Sequence, residues 1–287
     1  MWLTLSLLAA LFYGITQLYS KKLTKTYNEY TLAFVSSAII VICLLPFVMS
    51  FGTPKLGSSF WLSLIIVSII NAITAVLVFK ALKLTNISLV APIYALSPVF
   101  LIFTSPFIIK ESPSAIGLIG VTLILFGAYV LNFKGKANMQ PILDIYKNKG
   151  QKIILLVCLL WAISTNFYKI GMQSSSAIFF IFATSLTITL FLLPIIIFKR
   201  KLTITKSNWL PLLTLGVLGL LSTVTEWLAV NNGIAIYVLS IRRLSIFVVI
   251  IGAYIFFNEK HIKQRLLASF IMFIGVLIIY YSSTISI

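Results

Sequence analysis

Arg242 and Arg243 are adjacent cations about nine residues into a largely apolar stretch over 233–257, and Glu226 stands near the end of the stretch before it. A guanidinium fork grips carboxylate and phosphate oxygens through paired N–H bonds, so this pair is a candidate ligand for an anionic group. Neighbouring residues diverge by about 100° around a helix, which lets one arginine face a site while the other pairs elsewhere. Glu226 is the obvious partner. Three readings stand at this point: an anion site, a structural ion pair, and a carboxyl at Glu226 that couples solute movement to protons.

What must position these charges is lipid-spanning helix. Ten stretches of about twenty mainly apolar residues, the length a bilayer crossing needs, run over 2–19, 31–51, 59–82, 85–109, 113–133, 153–172, 177–198, 208–230, 233–257 and 263–282. With 60% hydrophobic and 9% charged residues and a mean hydropathy of +1.11, no soluble domain of this length is expected. Helices satisfy every backbone group within lipid, so the spans read as helical. The first apolar run has no basic segment before it; its first lysines, Lys21 and Lys22, follow it, which reads as a retained span rather than a signal peptide. Cys43 and Cys158 fall inside spans as small apolar fillers.

The net charge of +17 is arranged by loop. Connections after spans 1, 3, 5, 7 and 9 hold seventeen of the 22 Lys and Arg, whereas Lys55, Lys110 and Lys169 are the three on the other side. Basic loops stay cytoplasmic, so the asymmetry places both chain ends outside. The clusters also suit anionic lipid headgroups, and no nucleic-acid partner is called for.

A repeat underlies the spans. At an offset of 148 residues Pro46 meets Pro194, Phe79 and Ala81 meet Trp227 and Ala229, Ser97 meets Ser245, Glu111 meets Glu259 and Gly127 meets Gly275. One residue of slack brings Thr16 and Tyr19 onto Thr165 and Tyr168. Five crossings per half invert the second half relative to the first. Inverted repeats are the architecture of secondary transporters, with the solute near the midplane between halves; duplication also builds scaffolds and membrane enzymes.

The stretch Phe79–Phe133, with its aromatic-x-Ala-Leu start, a proline in span 4, Glu111 at its end and glycines in span 5, resembles the EamA-like family of the drug/metabolite transporter superfamily. Trp227, Ala229, Glu259 and Gly275 repeat the pattern, and Trp161 suits a tryptophan usual in span 6. Ile246 departs from it, standing where the first half has Pro98. The family habit of cytoplasmic termini also opposes the loop count. The resemblance implies that spans 1, 3, 4, 6, 8 and 9 surround a central cavity. Substrate-binding candidates beside Arg242, Arg243 and Glu226 are then Tyr13, Thr16, Gln17, Asn71, Tyr94, Ser97, Trp161, Thr165, Asn166 and Tyr168. Pro92 and Pro98 would kink span 4 beside Tyr94 and Ser97.

The expectation is an all-α polytopic membrane protein of ten transmembrane helices in two inverted five-helix repeats. Residues 1–133 form the first, 134–152 a basic connecting loop and 153–287 the second. It would be a secondary transporter in the cell membrane for a small metabolite that is anionic or zwitterionic, such as an amino acid or nucleotide-like compound. Export of lipophilic or cationic drugs, a lipid-phosphate transferase and a non-transporting receptor are the alternatives. No metal-ligand cluster, Walker loop, HExxH or GxSxG occurs, so neither cofactor nor enzyme activity is expected. Monomer and homodimer both remain open.

Overall fold

The computed structural model describes residues 1–85, 93–94, 96–131, 148–198, 209–257 and 262–285. Pro92, Asp144, the Lys199-Arg200-Lys201 cluster, Glu259, His261 and most of the basic connection lie outside them. Among the described residues the regular structure is helix: α1 (Trp2–Leu23), α2 (Glu29–Phe51), α3 (Phe60–Leu84), α4 (Ser97–Ile108), α5 (Ala115–Leu131), α6 (Lys149–Gln173), α7 (Ala177–Phe198), α8 (Trp209–Asn232), α9 (Ala235–Arg242), α10 (Ser245–Phe257) and α11 (Ile262–Ile285). Six of these, α1, α2, α3, α6, α7 and α8, are long and apolar enough to cross a membrane. Shorter apolar helical segments cover Ser97–Ile108, Ala115–Gly127 and Phe270–Ser282.

Local chemistry sets several ends. Asn28 and Asn148 cap α2 and α6, their side-chain oxygens accepting from Thr31 N–H at 2.8 Å and Gly150 N–H at 2.9 Å. Gly52, at φ 72°, ends α2 in a left-handed conformation that glycine adopts without steric cost.

The ninth expected span departs from a single rod, and most of the fourth before Leu96 lies outside the described residues. Pro98 lies in the first turn of α4, where a missing N–H leaves no bond of that helix broken. The stretch 233–257 is two helices, α9 and α10. Across the junction the backbone bonds run three residues back: Arg243 N–H to Ser240, Leu244 to Ile241, Ile246 to Arg243 and Phe247 to Leu244. This tightened turn needs neither proline nor glycine.

Packing joins the two halves in exchanged pairs: α3 on α6 and α1 on α8, α2 on α8 and α7 on α3, α1 on α10 and α6 on α4. α3 and α6 run antiparallel, with Asn148 bonded to Thr85 at one end and Gly57 N–H to Ser174 at the other. α5 and α11 also lie antiparallel and cross at Gly120 and Gly275. A Cβ on either glycine would stand 2.7 Å from the other's carbonyl oxygen. Because that obstacle is backbone, Gly120→Ala must push the helices apart, a cost of about 1–3 kcal/mol. Its unfolding midpoint in detergent should fall, while Gly219→Ala, whose added methyl meets nothing within 4 Å, should not lower it.

Candidate functional site

A cavity of about 270 Å³ opens at mid-height between the halves. Its walls are paired across the repeat. Tyr13 and Trp161, Thr16 and Ser164, Ser36 and Thr184, Ser37 and Ser185, Thr74 and Ser222, and Phe79 and Trp227 all line it, each pair 148 residues apart. The offset therefore matches Thr16 with Ser164, not with Thr165 as the looser alignment had it. The frame is one of hydroxyls and aromatic rings.

Charge breaks this symmetry. Arg242 and Glu226 both line the cavity, whereas Tyr94 and Val78 occupy the corresponding positions of the first half. Arg242, at the last turn of α9, ion-pairs through Nη1 with Oε1 of Glu226 on α8. Its guanidinium also lies over the Tyr13 ring, 3.6 Å from the centroid, with the Trp161 ring at 5.8 Å. The first half makes the exchanged contact with a ring in place of a cation: Tyr94 stacks on Trp161 at 5.6 Å. Among the described residues Arg242 Nε has no hydrogen-bond partner, which leaves that donor available.

Arg243 turns the other way. It is buried, donates through Nη2 to Ser97 Oγ at 2.6 Å, and lies 5.9 Å from the Tyr94 ring centroid. Among the described residues no carboxylate pairs with it. Arg243, Ser97 and Tyr94 thus form a bridge from the helix break to the start of α4, behind the cavity wall rather than in it.

The remaining candidates divide similarly. Asn71 lines the cavity and donates to Ser164 Oγ at 2.8 Å; beside it Trp161 Nε1 donates to Thr74 Oγ1 at 3.1 Å. These two bonds fasten α3 to α6 along the wall. Thr16 and Thr165 also line it, each hydroxyl bonded to the carbonyl four residues back. Tyr168 stacks on Trp227 with centroids 3.6 Å apart and shares a 2.9 Å bond with Thr184. Asn166 is a structural clamp between α4 and α6, bonded to Thr104 and Ser105, and Gln17 is buried outside the wall.

α2 and α7 contribute wall residues as well, so spans 1, 3, 4, 6, 8 and 9 are not the whole surround. Ser36, Ser37, Thr184 and Ser185 were passed over in reading the chain. Their signal was present as adjacent hydroxyls recurring at the repeat offset. Serine and threonine inside apolar helices usually bond their own backbone, as Ser36 does to Leu32, which disguised them.

The EamA-like transporter family matches residues 1–133 and 148–281, and the chain belongs to that family. It is therefore a multi-pass membrane protein of a transporter family, with two family segments in one chain. Among solved structures, a chain described only as "Crystal structure of protein" is similar, with 14% identity and a TM-score of 0.64. The match covers 94% of this chain and 95% of that one, and shows a shared fold. No curated protein matches the chain.

Removing one member of the Arg242–Glu226 pair strands the other. Arg242→Met or Glu226→Met should each cost about 3–5 kcal/mol, and the double substitution should cost less than either. Thermal unfolding of the four proteins in detergent reads this as a double-mutant cycle.

Proposed function

We propose that this chain is a ten-span secondary transporter of two inverted halves that carries a small zwitterionic metabolite by alternating access. An amino acid or a related compound bearing both charges is the solute class. The Arg242–Glu226 pair carries the reading, since both members line the cavity and present opposite charges side by side. A solute carboxylate can take the guanidinium while its ammonium takes Glu226, so neither side chain is left uncompensated. A purely anionic solute would leave Glu226 facing like charge. The cavity, about 270 Å³, is smaller than the roughly 300–1,000 Å³ of drug-sized sites, in keeping with a small solute. Its hydroxyls suit polar groups, and the Tyr13, Trp161, Tyr168 and Trp227 rings suit a ligand's flatter faces.

The exchanged packings and the antiparallel α5–α11 crossing support inversion of the halves, and a midplane cavity between them suits alternating access. In this reading Arg243 is a positioning residue that holds the α9–α10 break against α4.

Thermal stabilisation of the purified protein across anionic, zwitterionic and cationic metabolites tests the proposal. Zwitterions should raise the midpoint most, and folded Arg242→Gln should lose that response. Arg243→Gln should lower intrinsic stability while keeping the solute preference. Stabilisation led by lipophilic cations and unchanged in Arg242→Gln would overturn the reading in favour of a drug exporter. Counterflow in sealed vesicles with the leading compound then separates transport from mere binding.

A further inference from the structure

Two lysines at helix ends do work that the cavity does not explain. Lys169, on α6, is only 5% exposed. Its ammonium donates to Gly233 O at 2.7 Å and ion-pairs with Glu111, whose other oxygen accepts from Ala235 N–H at 3.4 Å. One side chain thereby ties the α4–α5 connection, the end of α6 and the α8–α9 turn. Lys21, on α1, donates to Thr85 O at 2.8 Å and to Leu82 O at the end of α3.

These knots are repeat-related. Lys21 and Lys169 stand 148 apart, as do the accepting residues Thr85 and Gly233. They also occupy opposite ends of the bundle. Thr85 touches Asn148 at the start of α6, and Lys169 lies 21 residues further along that helix, about 30 Å at 1.5 Å per residue. Next to the Lys169 knot the stacked Tyr168 and Trp227 line the cavity wall. Beneath the Lys21 knot lie Tyr19 and Phe79, packed in one apolar cluster. An ammonium bonded to the carbonyl at a helix C-terminus is favoured by the helix dipole, so each knot fastens a helix of one pair to the far end of a neighbour.

We propose that the two knots are a matched pair of latches, each holding shut its own face of the cavity. Lys169 with Glu111 and Gly233 closes one face, and Lys21 with Thr85 and Leu82 closes the other. Opening one leaves its counterpart fastened, which is what prevents a leak when two halves rock about a shared site. This rests on reading the cavity as a transport site, but its test reads access and not transport.

A reporter cysteine at Thr223, in the cavity wall, is placed in a Cys43→Ser/Cys158→Ala background. Its labelling by a membrane-impermeant maleimide is followed in sealed vesicles of each orientation. Lys169→Met and Glu111→Gln should each raise the labelling rate from the Gly233 face by about tenfold, within the coupling range of a two-state element, and leave the other face unchanged. Lys21→Met should do the reverse. Glu111→Gln keeps the side-chain shape and carries the test where Lys169→Met folds poorly. A rise from both faces in one variant, or from neither, overturns the latch assignment. Loss of zwitterion binding with face-selective labelling intact would instead overturn the solute reading alone.

Discussion

A guanidinium taken to the middle of a bilayer costs about 2.5–3.5 kcal/mol on translocon scales, and this membrane protein buries two in adjacent positions among apolar helices. The surrounding architecture answers that cost differently for each. Arg242 receives a carboxylate and the face of an aromatic ring; Arg243 receives a hydroxyl from the other half of the chain. The backbone cooperates by breaking between α9 and α10, because residues in a tightened turn diverge more sharply than in an α-helix. One cation is thus delivered to the cavity and the other to the seam between halves.

The cavity inherits a division of labour from this arrangement. Most of its hydroxyls and rings come in pairs, one from each half, as expected of a site on a pseudo-twofold axis, while Thr165, Tyr168 and Thr223 are added by the second half. Polarity of sign comes from the second half alone, through Arg242 and Glu226. A symmetric frame can open toward either side with equivalent contacts, while an asymmetric charge pair fixes which way round a bound solute must lie. In the proposed transporter, symmetry would serve the motion and its local violation recognition.

Much of this was legible in the chain because lipid constrains sequence so strongly. Long apolar stretches marked the spans, and the six helices long and apolar enough to cross a membrane fall on them. Glu226 and Arg242 were conspicuous for being charged where charge is costly. What stayed hidden was set by facing. Nothing local tells whether Asn166 points to the cavity or clamps α4, since an amide in a helix bonds whichever neighbour it meets. The break at Arg243–Leu244 was hidden for a related reason. Proline and glycine are the usual signs of an interrupted helix, and Ile246 stands where the repeat predicted a proline, so continuity was the natural reading. Pro98 stands in the first turn of α4.

The Arg242–Glu226 contact spans only sixteen residues, within a single helical hairpin. During synthesis α8 and α9 emerge one after the other, so the two charges can neutralise each other before the remainder of the chain exists. In the proposed membrane arrangement the hairpin would enter with that pair already neutralised, so that of the two arginines only Arg243 would still need a partner. Arg243 finds its hydroxyl on a segment made 146 residues earlier and already in the bilayer. In that arrangement the order in which the chain is made would bring each arginine to a partner synthesised before it.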